Sequence, residues 1–404
     1  MNAIELLTHI LAVVSSDQLF SSSNPKASSG NLPAVLISSD STQTLSLGGN
    51  SFFGSIPSDL GNLSKLSYLY VSNNNFIGEI PLEIVMLRSL VKLRLDNNNL
   101  IGNIPNSIVI PSSIGNLTGL YYLYLSDNQL SGSIPSEIVG ARYIRELEFG
   151  RSQINGTIPA SFRNFSSLGY LYLINYFANY THLKELHLAD NIFSGFIPSD
   201  LGKTTNLVRL SLFMNRLKGS IPQNMNFTKM EFFGVSENLL SGSLPQEICS
   251  SRLLRYFCAS NNSFSGYVPK SLKNCSSLVR VRLERNQLQE ISLKNLLDYI
   301  DLSYNKFYGE VPSNWGLVLM SNNNLLGKIP LELLGAKRLN VLDLSSNHLV
   351  GEIPKSLGRL NGVGELNLDN NKLSSTIPLE LRKLYNLELL NLGKNSLTAQ
   401  SAKT

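Results

Sequence analysis

The 404-residue chain has few cysteines, few charges and only one tryptophan. Its three cysteines, Cys249, Cys258 and Cys275, cannot all pair, so we expect three unpaired thiols rather than a disulfide framework. Charged residues make up 16% of the chain, its net charge is +5, and runs of Lys or Arg are absent. This balance argues against a nucleic-acid partner or a membrane surface. No apolar run approaches the roughly 18 residues of a transmembrane helix, so we predict no transmembrane segment.

The sequence also lacks the groupings of residues on which catalysis and metal binding depend. Carboxylates are scattered, and no nucleophile, base and acid converge as an enzyme requires. Residues 362–367, GVGELN, miss the third glycine of a nucleotide-binding loop. The histidines show no metal-ligand spacing: His9, His182, His187 and His348. We therefore predict no enzyme activity, no metal site and no small-molecule cofactor.

What the chain does contain is one repeated pattern. Residues 339–384 carry it almost twice, as L-x-x-L-x-L-x-x-N-x-L-x-G-x-I-P-x-x-L-x-x-L, with Asn347 answered by Asn371 at a period of 24. Self-similarity of this period and spacing indicates a leucine-rich repeat solenoid. The L-x-L core, such as Leu342 and Leu344 with the residue between them, alternates inward and outward as a short strand does, and the inward leucines of stacked copies bury one core. The predicted fold class is an α/β solenoid with a parallel β-sheet on the concave face and short helical, 3-10 or irregular segments on the convex face.

Asparagine recurs at the end of each predicted strand, at a position that we call the rung. Its buried amide can bond backbone groups of its own coil and the adjacent coil that would otherwise be unpaired. We therefore expect the rungs to be structural and not part of a binding site. Sixteen rungs follow from the pattern: Asn50, Asn74, Asn98, Asn128, Ser152, Tyr176, Asn191, Asn215, Asn238, Asn262, Asn286, Asn305, Asn323, Asn347, Asn371 and Asn395.

The rungs define the domain organisation. About sixteen repeats form one domain between a lead-in and a tail, with these bounds: 1–44 for the lead-in, 45–398 for the repeats and 399–404 for the tail. Three intervals between rungs are shortened to 15, 19 and 18 residues: Tyr176 to Asn191, Asn286 to Asn305, and Asn305 to Asn323. A short unit must still close a full coil around the core. We expect local distortion at 174–182, 288–298 and 314–320.

The G-x-I-P form of the repeat resembles the extracellular repeats of plant leucine-rich repeat receptor-like kinases and receptor-like proteins, over residues 45–398. Residues 259–288 and 299–316 look like the receptor kinases that perceive short secreted peptides. The resemblance implies a right-handed superhelix, N-glycosylation, and contact with a peptide, protein ligand or co-receptor kinase on the concave face. The chain lacks the family's paired-cysteine caps, transmembrane helix and HRD and DFG kinase motifs. We interpret it as a truncated ectodomain without kinase activity.

Exposed strand positions carry aromatic and charged side chains in the first half of the repeats. Tyr and Arg are frequent at interface hot spots, although β-propensity alone would also explain exposed tyrosine. The candidate ligand-binding residues of the concave face are Tyr68, Tyr70, Arg94, Tyr122, Tyr124, Glu148, Tyr170, Tyr172, His187, Arg209 and Phe213. A second patch is suited to a carboxylate or an acidic partner and contains Tyr256, Arg280 and Arg282. The last three repeats are close to the bare consensus, so we predict a solvated face there.

The cellular location depends on the N-terminus. Residues 1–16 are either a weak secretion signal or part of the lead-in, because Glu5 stands where a signal carries positive charge. An extracellular or plasma-membrane-associated protein follows only from the first alternative. Eight N-x-S/T sequons are candidate glycosylation sites: Asn62, Asn116, Asn155, Asn164, Asn179, Asn226, Asn261 and Asn274.

Our first functional hypothesis is an extracellular binding module of a plant receptor-like protein, which recognises a secreted peptide or a partner receptor in signalling or defence. One alternative is a secreted inhibitor of a cell-wall-degrading enzyme, similar to polygalacturonase inhibitors. That alternative predicts cysteine caps and about ten repeats, and the sequence has neither. Another alternative is a non-functional truncated receptor fragment, which the shortened repeats favour.

Overall fold

The computed structural model describes residues 29–30, 32, 41–104, 119–136, 138, 143–162, 183–290, 299–311, 317–331 and 339–398. The chain forms two compact units, Met1–Arg216 and Leu217–Thr404. Both are built from the same coil, which in each unit contributes one short strand to a parallel sheet that we call the principal sheet of that unit.

In the first unit the principal-sheet strands pair parallel and in register, in chain order. They are Thr44–Ser46, Tyr68–Tyr70, Lys92–Arg94, Tyr122–Tyr124, Glu146–Glu148, Glu185–His187 and Arg209–Ser211. The second unit repeats the arrangement with Phe232–Gly234, Tyr256–Cys258, Arg280–Arg282, Tyr299–Asp301, Leu317–Leu319, Val341–Asp343, Glu365–Asn367 and Leu389–Asn391.

The core lies on one face of the principal sheet. The middle residue of a strand and the residue two positions later both point inward, so Leu69 and Val71, or Leu342 and Leu344, are buried. Phenylalanines extend this core, with the rings of Phe52 and its neighbour one coil later stacked 6.2 Å apart. We call the opposite face of the principal sheet the open face, because its side chains point away from the core.

The asparagine ladder forms as the sequence predicts. The side-chain amide of Asn98 donates to Val71 O at 3.0 Å and Leu95 O at 3.1 Å, and its Oδ1 accepts from Phe76 N at 3.0 Å. Asn347 makes the equivalent bonds in the second unit, to Met320 O and from Leu325 N. Each rung therefore satisfies buried backbone groups of two coils.

Shorter parallel sheets, which the repeat pattern does not predict, lie beyond the rungs. In the first unit their strands are Ser29–Gly30, Ser51–Ser55, Asn75–Gly78, Asn99–Leu100 and Ser194–Phe196. Strand Arg216–Gly219 begins at the last residue of the first unit. In the second unit the strands are Leu239–Gly242, Ser263–Tyr267, Gln287–Glu290, Tyr308–Gly309, Asn324–Leu325, Val350–Gly351, Lys372–Thr376 and Ser396–Thr398. The glycine of G-x-I-P ends several of them with a positive φ, such as 80° at Gly78.

Short 3-10 helices return the chain to the next strand. Each follows the proline of a G-x-[ILV]-P or S-x-I-P segment: Ser58–Asn62, Leu82–Met86, Ser199–Lys203, Lys270–Asn274, Lys355–Arg359 and Leu379–Lys383. None of the helices in the described ranges has the length and apolarity to span a bilayer. Parallel strands with little helix confirm the predicted leucine-rich repeat solenoid.

The predicted rung at Tyr176 lies outside the described residues. Strand Glu146–Glu148 pairs with strand Glu185–His187 in the principal sheet. The asparagine ladder makes the same connection, because the Asn191 amide donates to Phe149 O at 2.8 Å.

The expectation of three unpaired cysteines is wrong. Cys249 and Cys275 form a disulfide with Cα atoms 5.8 Å apart, and Cys258 is free. The two bonded cysteines are 26 residues apart, close to one repeat, so the stacking of adjacent coils brings their Cα atoms within bonding range. Of the regions expected to be distorted, 174–182 and 291–298 lie outside the described residues, as do 314–316.

Candidate ligand-binding face

The open face of the first unit displays two rows of side chains, one from the first residue of each strand and one from the third. Parallel register aligns these rows across the sheet. The first row contains Tyr68, Lys92, Tyr122, Glu146, Glu185 and Arg209. The second contains Tyr70, Arg94, Tyr124, Glu148, His187 and Ser211.

Aromatic rings and cations interleave at one end of these rows. The rings of Tyr68 and Tyr70 lie 6.3 Å apart. The ammonium of Lys92 lies 4.9 Å from the centre of the Tyr122 ring and 5.0 Å from that of Tyr124. The guanidinium of Arg94 lies 5.2 Å from the Tyr124 ring. These cation–π contacts hold long side chains in place before any ligand arrives.

Carboxylates fix this aromatic cluster. Arg94 donates from Nε and from one terminal nitrogen to the two oxygens of Asp96, at 3.0 and 2.9 Å. The Tyr124 hydroxyl donates to Glu146. Burial, followed by this hydrogen bond, raises the pKa of Tyr124 far above its ordinary range, so the hydroxyl stays protonated. Burial also raises the pKa of Tyr70.

Toward the other end of the rows, acidic and basic side chains take the place of the aromatic rings. His187 lies 3.3 Å from Glu185, which also pairs with Arg209 at 3.4 Å. The hydrogen bond from His187 lowers the pKa of Glu185 against the opposing effect of burial. For Glu148 burial dominates and raises the pKa.

The structure places the predicted residues of the first unit on one face, with two differences in exposure. Tyr68 is 39% exposed, whereas Tyr124 is only 8% exposed because Lys92 and Arg94 lie over its ring. Tyr124 therefore supports the side chains that lie over it and is itself little exposed. Phe213 is half-buried at the position two residues after strand Arg209–Ser211. Tyr170 and Tyr172 lie outside the described residues.

The second patch is a set of arginines on neighbouring strands of the second unit. Arg280 lies 4.9 Å from the Tyr299 ring, and Tyr256 lies one strand away in register. Arg282 donates to the buried Glu284, whose other oxygen, Oε2, has no hydrogen-bond partner. Burial, reinforced by the nearby carboxylate of Asp301, raises the pKa of Glu284. Both arginines are exposed and present cationic groups to a ligand.

On the open face of the last repeats, polar side chains accept hydrogen bonds from their own backbone. Asp343 accepts from Ser345 N at 2.9 Å, and Asn367 accepts from Asp369 N at 3.2 Å. Asn391 accepts from Gly393 N at 3.3 Å in the same manner. These polar groups are satisfied locally, which agrees with the predicted solvated face.

The sequons within the described residues differ in accessibility. Asn62 and Asn155 are exposed, and Asn261 is partly buried in a left-handed turn with a φ of 51°. The Asn226 side-chain oxygen accepts from the backbone N and the Oγ1 of Thr228, at 2.9 and 2.6 Å. Asn274 ends a 3-10 helix. Asn116, Asn164 and Asn179 lie outside the described residues.

The repeat pattern does not reveal the carboxylates that position the candidate ligand-binding residues. Asp96, Glu146 and Glu185 hold Arg94, Tyr124 and His187, respectively. A signal was present, since residues two apart on a strand share a face. That spacing pairs Arg94 with Asp96, Glu185 with His187 and Arg282 with Glu284.

Known proteins share this fold. The family profile described as Leucine Rich Repeat matches residues 41–63, 65–87, 89–117, 119–141, 182–204, 338–360 and 363–384. These segments of the chain are therefore leucine-rich repeats. Among curated relatives, Receptor-like protein 35 of Arabidopsis thaliana is 36% identical over 212 residues, which cover 46% of this chain. The match spans only 22% of the length of that relative.

Solved structures extend the similarity to almost the whole chain. One is the Arabidopsis receptor kinase HAESA in complex with the peptide hormone IDA and the co-receptor SERK1, at 32% identity and a TM-score of 0.81, covering 91% of this chain and 60% of the matched chain in that structure. Another is the plant peptide hormone receptor RGFR1 in complex with RGF2, at 28% identity and a TM-score of 0.69, covering 92% and 73%. The relatives of this chain thus include plant receptor-like proteins, and its structural neighbours include ectodomains of plant leucine-rich repeat receptor kinases.

Proposed function

We propose that this chain is the ligand-recognition module of a plant receptor-like protein, and that it binds an extended secreted peptide on the open face of its principal sheet. The role is recognition and not catalysis. A co-receptor kinase is the second class of partner. The complexes formed by HAESA and RGFR1 support this choice, because both neighbours bind peptide hormones.

The observation that carries the proposal is the cluster at Tyr68, Tyr70, Lys92, Arg94 and Tyr122. These side chains occupy three consecutive strands and are held by ring and cation contacts made within the protein. Tyr and Arg combine contact area with a polar group, and a preorganised face loses less conformational entropy on binding. Strands about 4.8 Å apart let an extended peptide cross one strand every one to two residues.

The arginine patch supports a second contact. Arg280 and Arg282 are guanidinium groups on one strand, and planar guanidinium groups bind carboxylates through paired hydrogen bonds. We assign this patch to a carboxylate of the peptide or to an acidic partner. Glu284 already engages Arg282, so Arg280 is the more available of the two.

The test is a selection of random twelve-residue peptides displayed on phage against the full chain. Selected peptides are then measured against a variant with Tyr68→Ala, Tyr70→Ala and Tyr122→Ala. The matched control replaces the structurally equivalent positions of the last repeats, Val341→Ala, Asp343→Ala and Leu389→Ala. We expect loss of binding in the first variant and none in the control, with both unfolding like the wild type. Equal binding by all three chains would overturn the proposal.

Recognition of a secreted peptide also requires that the chain enters the secretory route. We expect the full chain, expressed in plant cells with its own N-terminus, to carry glycans at the exposed Asn62 and Asn155. A glycosidase should then increase its electrophoretic mobility, and Asn62→Gln with Asn155→Gln should reduce that shift. An unshifted, insoluble or degraded product would favour the truncated fragment instead.

A further inference from the structure

The charged groups on the open face of the first unit are mostly paired with one another. Eight ionisable side chains other than tyrosine occupy the strand positions and the positions two residues beyond the strands: Lys92, Arg94, Asp96, Glu146, Glu148, Glu185, His187 and Arg209. Asp96 holds Arg94, and Glu185 holds both His187 and Arg209. Glu146 accepts from the Tyr124 hydroxyl. Within this described set, Lys92 and Glu148 are the two charges without a hydrogen bond or an ion pair.

Lys92 is held in place without being neutralised. Its register neighbours on both sides are tyrosines, Tyr68 and Tyr122. Its ammonium rests over the rings of Tyr122 and Tyr124, and no carboxylate of the described residues lies within ion-pair distance. A cation–π contact orients an ammonium but leaves its N–H donors available. Lys92 therefore offers a fixed positive group to an anion.

Glu148 is the opposite case. It lies between Tyr124 and His187 in register, but the polar groups of both neighbours are directed to other carboxylates. The Glu148 side chain is half-buried. Gly150, two residues later in the chain, adds no side chain beside it. A partly desolvated carboxylate without a partner gains more from a cation than a hydrated one does.

The two unpaired groups are separated by one strand, Tyr122–Tyr124. Their strands are two steps apart at about 4.8 Å each, and their rows are two residues apart at roughly 3.3 Å each. Their backbone positions are thus roughly 12 Å apart, and the lean of Lys92 toward Tyr124 shortens the distance between the charges. An extended peptide spans that interval in about two to four residues.

We propose that this face selects an extended peptide by the spacing of two opposite charges, with an acidic group at Lys92, a basic group at Glu148, and the intervening residues on Tyr122. The inference rests on the proposed function, since it specifies the ligand of the same face. It commits to a dipolar peptide and excludes a uniformly acidic or uniformly basic ligand.

The experiment uses peptides from the displayed library and a charge-exchanged chain, Lys92→Glu with Glu148→Lys. The control exchanges two exposed charges of the second unit, Glu365→Lys with Lys372→Glu, and likewise leaves the net charge unchanged. Peptides that bind the wild type should carry an acidic and a basic residue two to four positions apart. We expect roughly tenfold or greater loss of their affinity in the first variant and no loss in the control.

Rescue makes the test specific. Exchanging the acidic and basic residues of one selected peptide should restore binding to the charge-exchanged chain and weaken binding to the wild type. Peptides that require the three tyrosines but tolerate the charge exchange would overturn this inference and leave the proposed function standing. Selected peptides that tolerate loss of the tyrosines would overturn both. A thermal unfolding midpoint close to that of the wild type shows that the exchanged chain is folded.

Discussion

Two regions of the molecule share one backbone and differ in what they display. One region surrounds strands Tyr68–Tyr70 and Lys92–Arg94, and the other surrounds strands Val341–Asp343 and Glu365–Asn367. In both, the inward leucines are buried and the asparagine rungs bond equivalent backbone groups. The open faces are different. The early face presents rings and held cations, whereas the late face presents short polar groups bonded to their own backbone.

This comparison separates the part of the repeat that makes the fold from the part that is available for function. The inward and rung positions are similar in both regions because every coil must bury its apolar residues and satisfy its backbone. The outward positions carry no such requirement. An outward cluster of Tyr, Lys and Arg therefore adds something that the fold does not need.

The rungs should be equally important in both regions. Asn98→Ala and Asn347→Ala each leave a buried N–H, at Phe76 or Leu325, without its acceptor, and remove an amide donor from three backbone carbonyls. We expect each variant to lose about 3 kcal/mol of unfolding free energy, since each orphaned buried group costs about 1–3 kcal/mol. Denaturant unfolding monitored by circular dichroism measures the loss. A large loss in only one region would show that the two ladders are not equivalent.

The open faces should differ sharply in binding. The variant with Tyr68→Ala, Tyr70→Ala and Tyr122→Ala should lose about 2 kcal/mol or more of binding free energy for a selected peptide, the scale of an interface hot spot. The matched late variant should lose none, because its polar groups are bonded locally. Calorimetric titration of both variants with one peptide makes the measurement. Similar losses would remove the functional distinction between the regions.

A weak rung should be repairable. Ser152 is too short to reach Leu130 N–H, the group that an asparagine would bond, and its own Oγ has no partner. We expect Ser152→Asn to raise the free energy of unfolding by about 1 kcal/mol by supplying that hydrogen bond. The control is Ser126→Asn, which adds an amide on the open face where no rung is missing. An unchanged or lower unfolding midpoint for Ser152→Asn would count against the ladder mechanism.

Acidification should weaken binding through Glu148. Its pKa lies above the ordinary 4.5 because of burial, with Asp96 and Glu146 raising it further and His187 and Arg94 opposing. The folded state therefore binds this proton more tightly than the unfolded state, so protonation stabilises the fold as pH falls through that raised pKa. The same protonation removes the charge that a basic peptide residue needs. The affinity for the peptide should decrease as the pH is lowered across this window. The Glu148→Gln variant should not show this dependence of affinity on pH.

The sequence predicts what is periodic and fails where a contact depends on stacking. Leu342 and Asn98 were identified because their spacing repeats. The Cys249–Cys275 bond depends on which residues of adjacent coils meet, and the coverage of Tyr124 depends on the positions adopted by Lys92 and Arg94. The carboxylate partners follow from spacing on a strand, but their bonds require coordinates.

The most direct test is to locate a bound peptide by photo-crosslinking. A library-selected peptide with a photoreactive group at its centre is bound to the full chain, irradiated, digested and analysed by mass spectrometry. We predict attachment within strands Tyr68–Tyr70, Lys92–Arg94 and Tyr122–Tyr124 or to the residues just after them. Attachment to the late face around Asp343 and Asn367, or to the outward side chains of the shorter sheets such as Phe53 and Ile77, would contradict the assignment.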